Sequence, residues 1–451
     1  MSAPWHEMTA CALGDAIARG EIDPRDLTEH FLARIEAGHP GNHVYVTVTA
    51  ERARAEADAA AHRARAGQRR HRLDGVPISW KDLTDTAGIA TTFASEILRD
   101  RVPDRDALAL RRATLAGLIC LGKTNLSEFA YSGLGINPHF GTPANAADAQ
   151  VARVPGGSSS GAAVSVGAGL AVAGIGSDTG GSVRIPAALN GLVGHKTSHG
   201  AIPLDGILPL SPSFDTLGPL TRSVDDANEI SAILMDRPSW DLHGGRVDGL
   251  RLLLPETIVF ESLDETVAGA MAVARERLEA AGATLVSRPV PEFQDAFDLV
   301  ARCGNIISAE GWALWRQAFE RQGDLMYAGI KARFDQALTL DAISEEEIRQ
   351  GMKRLAGRFH RRLAGFHAVI MPTSPTAAPP IAPLEDDMAA YDKANVTMSR
   401  NTRLGNLLET CGVTLPVRQP DRLPAGLLVS APLGRDGAVL RLAKAIEAIL
   451  P

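Results

Sequence analysis

The sequence of 451 residues is poor in cysteine and in aromatic residues, and it contains no long apolar run. Its few cysteines lie far apart and form no Cys-x-x-Cys pair, so we expect reduced thiols rather than a zinc site or a disulfide framework. They are Cys11, Cys120, Cys303 and Cys411. No uncharged stretch of about 18 apolar residues occurs, and the first residues form no basic or apolar signal region. The sequence therefore predicts a soluble cytoplasmic protein without membrane contact.

The charge balance excludes a further class of partner. The formal net charge is −7, and the basic residues are scattered along the chain rather than clustered. Because a protein that binds a polyanion needs a concentrated basic surface, we expect no direct contact with nucleic acid. No lysine follows the glycine-rich loop in the order of a phosphate-binding loop, and we expect neither a metal nor another cofactor.

Two serines are present in glycine-rich segments, and a single lysine closes an apolar run. Ser158 lies in Gly156–Gly161, and Ser182 ends the stretch that begins at Gly176. Glycine allows close approach of the backbone, and the neighbouring N–H groups are then free to point at a developing negative charge. Lys81 ends a strand-like run in which apolar and polar side chains alternate. Together the three residues predict a Ser-Ser-Lys hydrolase.

The pattern along the chain favours an α/β fold, because short apolar strands alternate with helices around a buried sheet that is largely parallel or mixed. Predicted strands end near residues 81, 121, 176, 254 and 371. Predicted helices cover residues 9–37 with a break at Asp23-Pro24, 50–67, 107–116, 162–173 and 263–281, and two more lie between 292 and 363. The polar, proline-rich segment 378–398 is interpreted as a mobile loop.

Several segments resemble the amidase signature family in the order that this family keeps. They are Gly75-Val-Pro-Ile-Ser-Trp-Lys-Asp82, Pro155-Gly-Gly-Ser-Ser-Ser-Gly161 and Asp178-Thr-Gly-Gly-Ser-Val-Arg-Ile-Pro-Ala187, followed by residues 213–222, 371–376 and 423–428. The resemblance spans nearly the whole chain. It implies one domain over residues 1–451, with a catalytic core at about 70–225, a peripheral helical region at about 255–365, and a central mixed, mostly parallel sheet covered by helices on both faces.

The resemblance and the chemistry of amide hydrolysis together suggest a role for each residue. Ser182 is the expected nucleophile, Ser158 relays its proton, and Lys81 accepts that proton once its pKa has been lowered by burial. The resemblance implies a cis peptide bond between Gly157 and Ser158. The expected oxyanion-hole donors are the backbone N–H groups of Thr179, Gly180, Gly181 and Ser182.

Other side chains near these motifs receive supporting roles. Asp178 and Arg184 are expected to form a structural ion pair that braces the Ser182 turn. By resemblance and by its aromatic character, the loop after residue 128 is expected to border the substrate. The candidates in this loop are Phe129, Tyr131, Leu134, Ile136 and Asn137.

Four alternatives stay open at the level of sequence. Ser159 satisfies the Gly-x-Ser-x-Gly pattern of an α/β-hydrolase, although Pro155 precedes it where a strand would be required. The glycine-rich loop could bind the phosphate of a nucleotide. The chain could be the glutaminase-type amidase component of a tRNA-dependent amidotransferase, or it could cleave a related carbamate, anilide, hydrazide or ester. A small-molecule amide and a second copy of the chain in a homodimer are the expected partners.

Overall fold

The computed structural model describes residues 3–38 and 42–451. These residues form one sheet of eleven strands. The strands are β1 (Tyr45–Val48), β2 (Pro77–Lys81), β3 (Ile119–Thr124), β4 (Ala173–Ser177), β5 (Val193–Lys196), β6 (Leu217–Thr221), β7 (Arg251–Pro255), β8 (Thr284–Arg288), β9 (Ala368–Pro372), β10 (Thr410–Val417) and β11 (Ala425–Pro432). Their order in space is β1-β3-β2-β4-β6-β5-β10-β11-β9-β7-β8.

The helices of this part of the chain precede, connect and follow the strands. They are α1 (Ala10–Ala18), α2 (Pro24–Gly38), α3 (Ala50–Arg65), α4 (Leu108–Ala116), α5 (Ser160–Gly167), α6 (Arg184–Leu189), α7 (Val224–Met235), α8 (Glu265–Ala280), α9 (Pro291–Cys303), α10 (Ile306–Gln322), α11 (Ala328–Asp335), α12 (Ala342–Arg362), α13 (Ala382–Asp386), α14 (Met388–Leu407) and α15 (Asp436–Glu447). Short 3-10 turns occur at Trp5–Glu7, Glu96–Leu98, Glu128–Ala130, Gly323–Leu325 and Gln336–Thr339.

The predicted α/β class with a mixed sheet is confirmed, since every residue of β2 to β6 is buried, which requires cover on both faces. The prediction that most strands are parallel is wrong. Six neighbouring pairs are antiparallel, as in β10 with β11, and four are parallel. The physical reason is connection length, because residues 418–424 between β10 and β11 are too few for the helical crossover that parallel strands need.

The strongly periodic helices and the break before Pro24 agree with the predictions, and three other expectations are wrong. Helix α5 ends at Gly167 rather than continuing to residue 173, because the chain turns at Gly169, where φ is +69°. The stretch 292–363 contains four α-helices instead of two, separated first at Gly304, where φ is +90°. Most of the segment 378–398 is helical, as α13 and the first part of α14. Asp387 caps α14 by accepting hydrogen bonds from the backbone N–H groups of Ala389 and Ala390.

The sheet brings the two motif-bearing strands together. Strands β2 and β4 are parallel neighbours, and Trp80 pairs with Ile175, so that Lys81 and Ser177 end the two strands at the same edge. Helix α5 lies very close to β4, because a Cβ atom on Gly174 would stand 2.7 Å from the carbonyl oxygen of Ala162. The loop that carries Ser158 directly precedes α5 and is thereby held over this edge.

Over residues 3–38 and 42–451, no helix combines the length and the apolar character needed to cross a bilayer. The same residues contain no group of three or more His, Cys, Asp or Glu side chains placed to hold a metal ion.

Candidate active site

Lys81 and Ser158 are in direct contact in the interior of the protein. Both side chains are fully buried. The amine of Lys81 donates from Nζ to Oγ of Ser158 at 2.7 Å and to Oγ of Ser177 at 2.9 Å. The peptide bond between Gly157 and Ser158 is cis, as the resemblance implies. The two residues are therefore placed for proton exchange, and Ser177 is a second hydroxyl partner that the sequence analysis did not identify.

The surroundings of Lys81 favour its neutral form. Burial lowers the pKa of Lys81 to about 7, even though the charges of Asp178 and Asp215 act in the opposite direction. No carboxylate forms an ion pair with Lys81 among the described residues, whereas the equally buried Lys123 lies 2.9 Å from Asp82. An amine with a pKa near neutrality is partly unprotonated at physiological pH and can accept a proton.

Ser182 lies in the tight turn between β4 and α6. Ser182 is 7% exposed and borders a cavity, whereas Ser158 is fully buried. The preceding Gly181 has φ of +132°, and a Cβ atom there would lie 2.1 Å from Oγ1 of Thr402. Only glycine fits at this position, because any side chain would collide with α14 where that helix packs against the turn.

A buried ion pair braces this turn, as predicted. Nη2 and Nε of Arg184 donate to the Asp178 carboxylate at 2.8 and 3.0 Å, and neither side chain is exposed. Although burial alone would raise the pKa of Asp178, the Arg184 guanidinium holds it well below its usual range. Asn406 accepts from Nη2 of Arg184 at 2.6 Å and so connects the pair to α14.

The backbone N–H groups around Ser182 are not equivalent. The N–H of Gly181 donates to Oδ1 of Asp178 at 2.8 Å, so that donor is already engaged and does not fit the predicted oxyanion hole. The N–H groups of Thr179, Gly180 and Ser182 have no hydrogen-bond partner within the described residues, and these three residues border the cavity. Three of the four expected donors are thus free to meet a ligand.

The Ser182 hydroxyl is not hydrogen-bonded to Ser158. No side-chain hydrogen bond of Ser182 is present in the described residues, although its carbonyl oxygen accepts from the N–H of Ser159 at 3.3 Å. The Ser159 hydroxyl contacts the backbone of Ser177 and is fully buried. Ser159 is therefore unsuited to the exposed elbow position of an α/β-hydrolase.

The cavity beside Ser182 has a volume of about 700 Å³. Its walls come from the Ser182 turn, the segment after Phe129, and helices α9, α10, α11 and α14. They include Tyr131, Ser132, Thr179, Gly180, Ser182, Leu210, Ile258, Glu261, Phe297, Asn305, Arg333, Asp392, Asn395, Ser399, Arg400 and Arg403. No histidine of the described residues borders it, so the cavity lacks the histidine base that an α/β-hydrolase uses.

Of the five predicted substrate-contacting residues, only Tyr131 borders this cavity. Phe129 is fully buried among other aromatic rings. Leu134 and Ile136 belong to a separate apolar cluster. Asn137 donates to two backbone carbonyl groups and accepts from the backbone N–H groups of His139 and Phe140, which makes it a loop-bracing residue. The three apolar side chains serve the core rather than a ligand surface.

The sequence pattern did not indicate the cavity residues on α14. Asn395, which is buried, accepts hydrogen bonds at Oδ1 from Oγ of Ser132 at 3.0 Å and from the N–H of Gly133 at 2.7 Å. Because the polar side chains of α14 face a cavity, its sequence has the same polar composition as a segment exposed to water. Ser177 lies beside Lys81 because β4 is the parallel neighbour of β2, an arrangement that the sequence pattern does not specify.

Comparison with known proteins identifies the family of the chain. The sequence profile of the Amidase family matches residues 26–440. A 2-amino-5-chloromuconic acid deaminase from Comamonas testosteroni is 34% identical over 449 residues, which cover 98% of this chain and 93% of that protein. A glutamyl-tRNA(Gln) amidotransferase component from Chloroflexus aggregans is 32% identical, and the match covers 98% of this chain and 96% of that protein.

Solved structures show the same similarity. A crystal structure of an amidase superposes with a TM-score of 0.88 at 30% identity, covering 98% of this chain and all of the other. The native peptide amidase from Stenotrophomonas maltophilia superposes with a TM-score of 0.81 at 26% identity, covering 99% of this chain and 97% of that one. With the family profile matched over most of its length, the chain belongs to the amidase signature family of amidohydrolases.

Proposed function

We propose that the protein hydrolyses the C–N bond of a small carboxylic amide through an acyl-enzyme on Ser182. The observation that carries this proposal is the buried amine of Lys81, which has no carboxylate partner in the described chain and lies 2.7 Å from the Ser158 hydroxyl. The other buried lysines have structural partners, since Lys123 pairs with Asp82 and Lys196 donates to two backbone carbonyl oxygens. Lys81 differs from both because it donates to two serine hydroxyls, groups that can exchange protons with it.

The first half of the reaction forms the acyl-enzyme. Neutral Lys81 takes the proton of Ser158, Ser158 takes the proton of Ser182, and the Ser182 oxygen bonds to the carbonyl carbon of the amide. The negative charge that develops on the carbonyl oxygen is met by the free N–H groups of Thr179, Gly180 and Ser182. The C–N bond then breaks, and the departing nitrogen receives the proton that returns through Ser158.

The second half releases the acid. Water enters the cavity and loses a proton through the same two residues while its oxygen bonds to the acyl carbon. The ester bond to Ser182 then breaks, and the Ser182 oxygen recovers its proton. The enzyme returns to its starting state, and the products are a carboxylic acid and ammonia or an amine.

The proposal is tested with the purified chain and a panel of primary amides. We expect amide hydrolysis without added protein partners, and an intact-mass increase on Ser182 equal to the acyl group when the reaction is quenched. Added hydroxylamine should divert the acyl group to a hydroxamate. Hydrolysis without any acyl adduct or hydroxamate would argue for direct attack by water and against this mechanism.

The pKa of Lys81 predicts the pH dependence. Because the reactive form is the neutral amine, kcat/KM should rise with pH through an apparent pKa near 7, and activity should be lost as the pH falls below it. Burial also raises the pKa of Asp215 to about 6, so this carboxyl group needs a control. The charge of Asp215 raises the pKa of Lys81, and Asp215→Asn should therefore shift the acidic limb to lower pH. Disappearance of the limb in Asp215→Asn would assign it to Asp215 instead.

Ser177 is expected to position the Lys81 amine. In Ser177→Ala, Lys81 loses its 2.9 Å hydrogen bond and keeps only the one to Ser158. A hydrogen bond between neutral groups contributes about 0.5–1.5 kcal/mol, so we expect kcat/KM above the acidic limb to fall by about 2- to 10-fold. Because the Ser177 hydroxyl also stabilises the ammonium form of Lys81, its loss should move the acidic limb to lower pH. Rates and pH profiles of Ser177→Ala and Ser177→Thr separate a hydrogen-bonding role from a space-filling role, since Ser177→Thr keeps the hydroxyl. An unchanged profile in Ser177→Ala would show that Ser177 only fills space.

A second candidate function is that of the glutaminase component of a tRNA-dependent amidotransferase. It is favoured by the match to the Chloroflexus aggregans amidotransferase component over nearly the full length of both chains. Glutamine hydrolysis that requires the addition of other amidotransferase components would support this candidate over the standalone enzyme. Carbamates, anilides, hydrazides and esters belong in the same panel, because the same acyl-transfer steps apply to them.

The proposal also includes a cytoplasmic location and a homodimer. The cysteines are free and buried, which agrees with a reducing cytoplasmic location. The expected homodimer stays a prediction, and sedimentation of the purified chain measures it.

A further inference from the structure

The catalytic cavity is positively charged, although the whole protein carries a formal charge of −7. Three arginines border it, Arg333, Arg400 and Arg403, against two acidic residues, Glu261 and Asp392. This composition leaves one positive charge in excess on the cavity wall. A site for a neutral amide needs no such excess, because burying an unpaired charge costs free energy.

The acidic residues do not neutralise all three arginines. Arg333 donates from Nη2 to Oδ1 of Asp392 at 3.1 Å. Arg400 donates from Nη2 to the backbone carbonyl oxygen of Glu261 at 2.8 Å. Arg403 forms no ion pair with any acidic side chain in the described residues. Arg400 likewise forms no ion pair in the described chain, but its Nε and Nη2 donate to neighbouring amide and carbonyl oxygens. Arg403 is therefore the arginine whose donors are left for an anion.

Arg403 has unused hydrogen-bonding capacity. Its Nη2 donates to Oδ1 of Asn305 at 3.1 Å, and its Nε is buried without a partner in the described chain. Nη1 likewise has no protein partner among the described residues. Burial lowers the pKa of Arg403, and the nearby Arg333 acts in the same direction. A guanidinium group in this position is stabilised by an anion that accepts from its planar fork of N–H groups.

The position of Arg403 connects it to the reacting centre. It directly follows Thr402, whose Oγ1 donates to the carbonyl oxygen of Gly180 at 2.9 Å. Asn305, which holds Nη2 of Arg403, also donates from Nδ2 to the Tyr131 hydroxyl at 2.7 Å. Arg403 is thereby fixed relative to the Ser182 turn on one side and to the cavity wall on the other.

We infer that the substrate carries a carboxylate in its acyl part and that Arg403 binds this carboxylate while the amide lies at Ser182. The substrate class is then the monoamides of dicarboxylic acids. The inference rests on the proposed function for the identity of the scissile bond. The carboxylate supplies the charge that the cavity lacks, and a bidentate contact fixes the orientation of the amide. Arg403 is thus a specificity-determining residue.

The test measures binding in a protein that cannot turn over. Isothermal titration of the Ser182→Ala protein compares succinamate, glutaramate and adipamate with the neutral diamides of the same length. We expect at least one monoamide to bind at least about 30-fold more tightly than its diamide, since loss of a buried charge pair has effects of this size. Arg403→Met in the same background should remove that preference and leave diamide affinity within about threefold.

Two matched variants control for folding and for general charge. Arg333→Met removes a cavity arginine that already has Asp392 as a partner, and it should lower monoamide affinity by less than about threefold. Arg403→Lys keeps the charge without the planar fork and should restore part of the preference. If Arg403→Met does not fold, as judged by its melting temperature, Arg403→Gln provides the same comparison.

The outcomes separate this inference from the proposed function. Equal affinity for monoamides and diamides at every length, or an equal loss of both in Arg403→Met, would overturn the carboxylate assignment. Trapping of an acyl adduct or hydroxamate from the neutral diamides, with Ser182 intact, tests the acyl-enzyme mechanism alone. A binding preference that depends on Arg403 supports the inference even when Ser182 proves not to be the nucleophile.

Discussion

Replacing Ser182 with alanine should abolish amide hydrolysis, with kcat lowered by about 10⁵-fold or more. The substitution removes the oxygen that bonds to the acyl carbon, which no backbone group of the turn can replace. The free N–H groups of Thr179 and Gly180 remain, so weak binding of amides should persist. Steady-state rates and intact-mass analysis of the Ser182→Ala protein measure both effects.

A neighbouring serine provides the matched control for this experiment. Ser160 is buried in the same glycine-rich region, and its hydroxyl donates to the backbone carbonyl oxygen of Asn125 at 3.3 Å. Ser160→Ala should keep kcat within about threefold of the unaltered protein and lower the free energy of unfolding by about 1 kcal/mol. An acyl adduct that still forms in Ser182→Ala would show that another residue is the nucleophile.

Replacing Lys81 with methionine should lower kcat/KM by about 10³-fold or more while the fold persists. Methionine approximates the length of the lysine stem and cannot accept a proton, so the relay through Ser158 loses its base. Because the amine is buried without a carboxylate partner in the described chain, its removal should leave the melting temperature unchanged or raise it. Rates and thermal melts of the Lys81→Met protein test the two statements separately.

Lys123 is the control for the loss of a buried lysine. It is as buried as Lys81, and its ammonium lies 2.9 Å from the carboxylate of Asp82. Lys123→Met leaves that carboxylate unpaired and should lower the free energy of unfolding by about 3–5 kcal/mol. Near-normal kcat/KM in Lys81→Met would contradict a catalytic role for Lys81. Equal destabilisation by the two substitutions would contradict the view that only Lys123 stabilises the fold.

The sequence motifs located the contact between Lys81 and Ser158 better than the cavity surface around it. Lys81, Ser158 and Ser182 belong to motifs whose residue types and order are specific, and the structure brings Lys81 and Ser158 into contact beside the Ser182 turn. The ion pair of Asp178 and Arg184 was also predicted, because opposite charges six positions apart bracket a turn. The roles of these residues in catalysis stay predictions until the variants are measured.

The cavity walls could not be predicted for a physical reason. A polar helix that faces a buried cavity has the composition of one that faces water, so residues 378–398 were interpreted as mobile although α14 carries Asn395 and Arg403 into the site. Strand direction has the same limit, because buried parallel and antiparallel strands have similar apolar patterns. The engaged N–H group of Gly181 depends on a carboxylate rotamer that no sequence pattern specifies.

The attachment of the Ser182 turn has a consequence for how the family diversifies. The ion pair of Asp178 with Arg184 braces the turn on the side away from the cavity. Helices distant in the sequence supply the cavity surface that an acyl group would contact. Substitutions of those wall residues that do not contact the turn can therefore alter the preferred compound without disturbing the geometry around Ser182. A lineage built this way acquires new substrates by exchanging a few wall residues while inheriting its reaction unchanged.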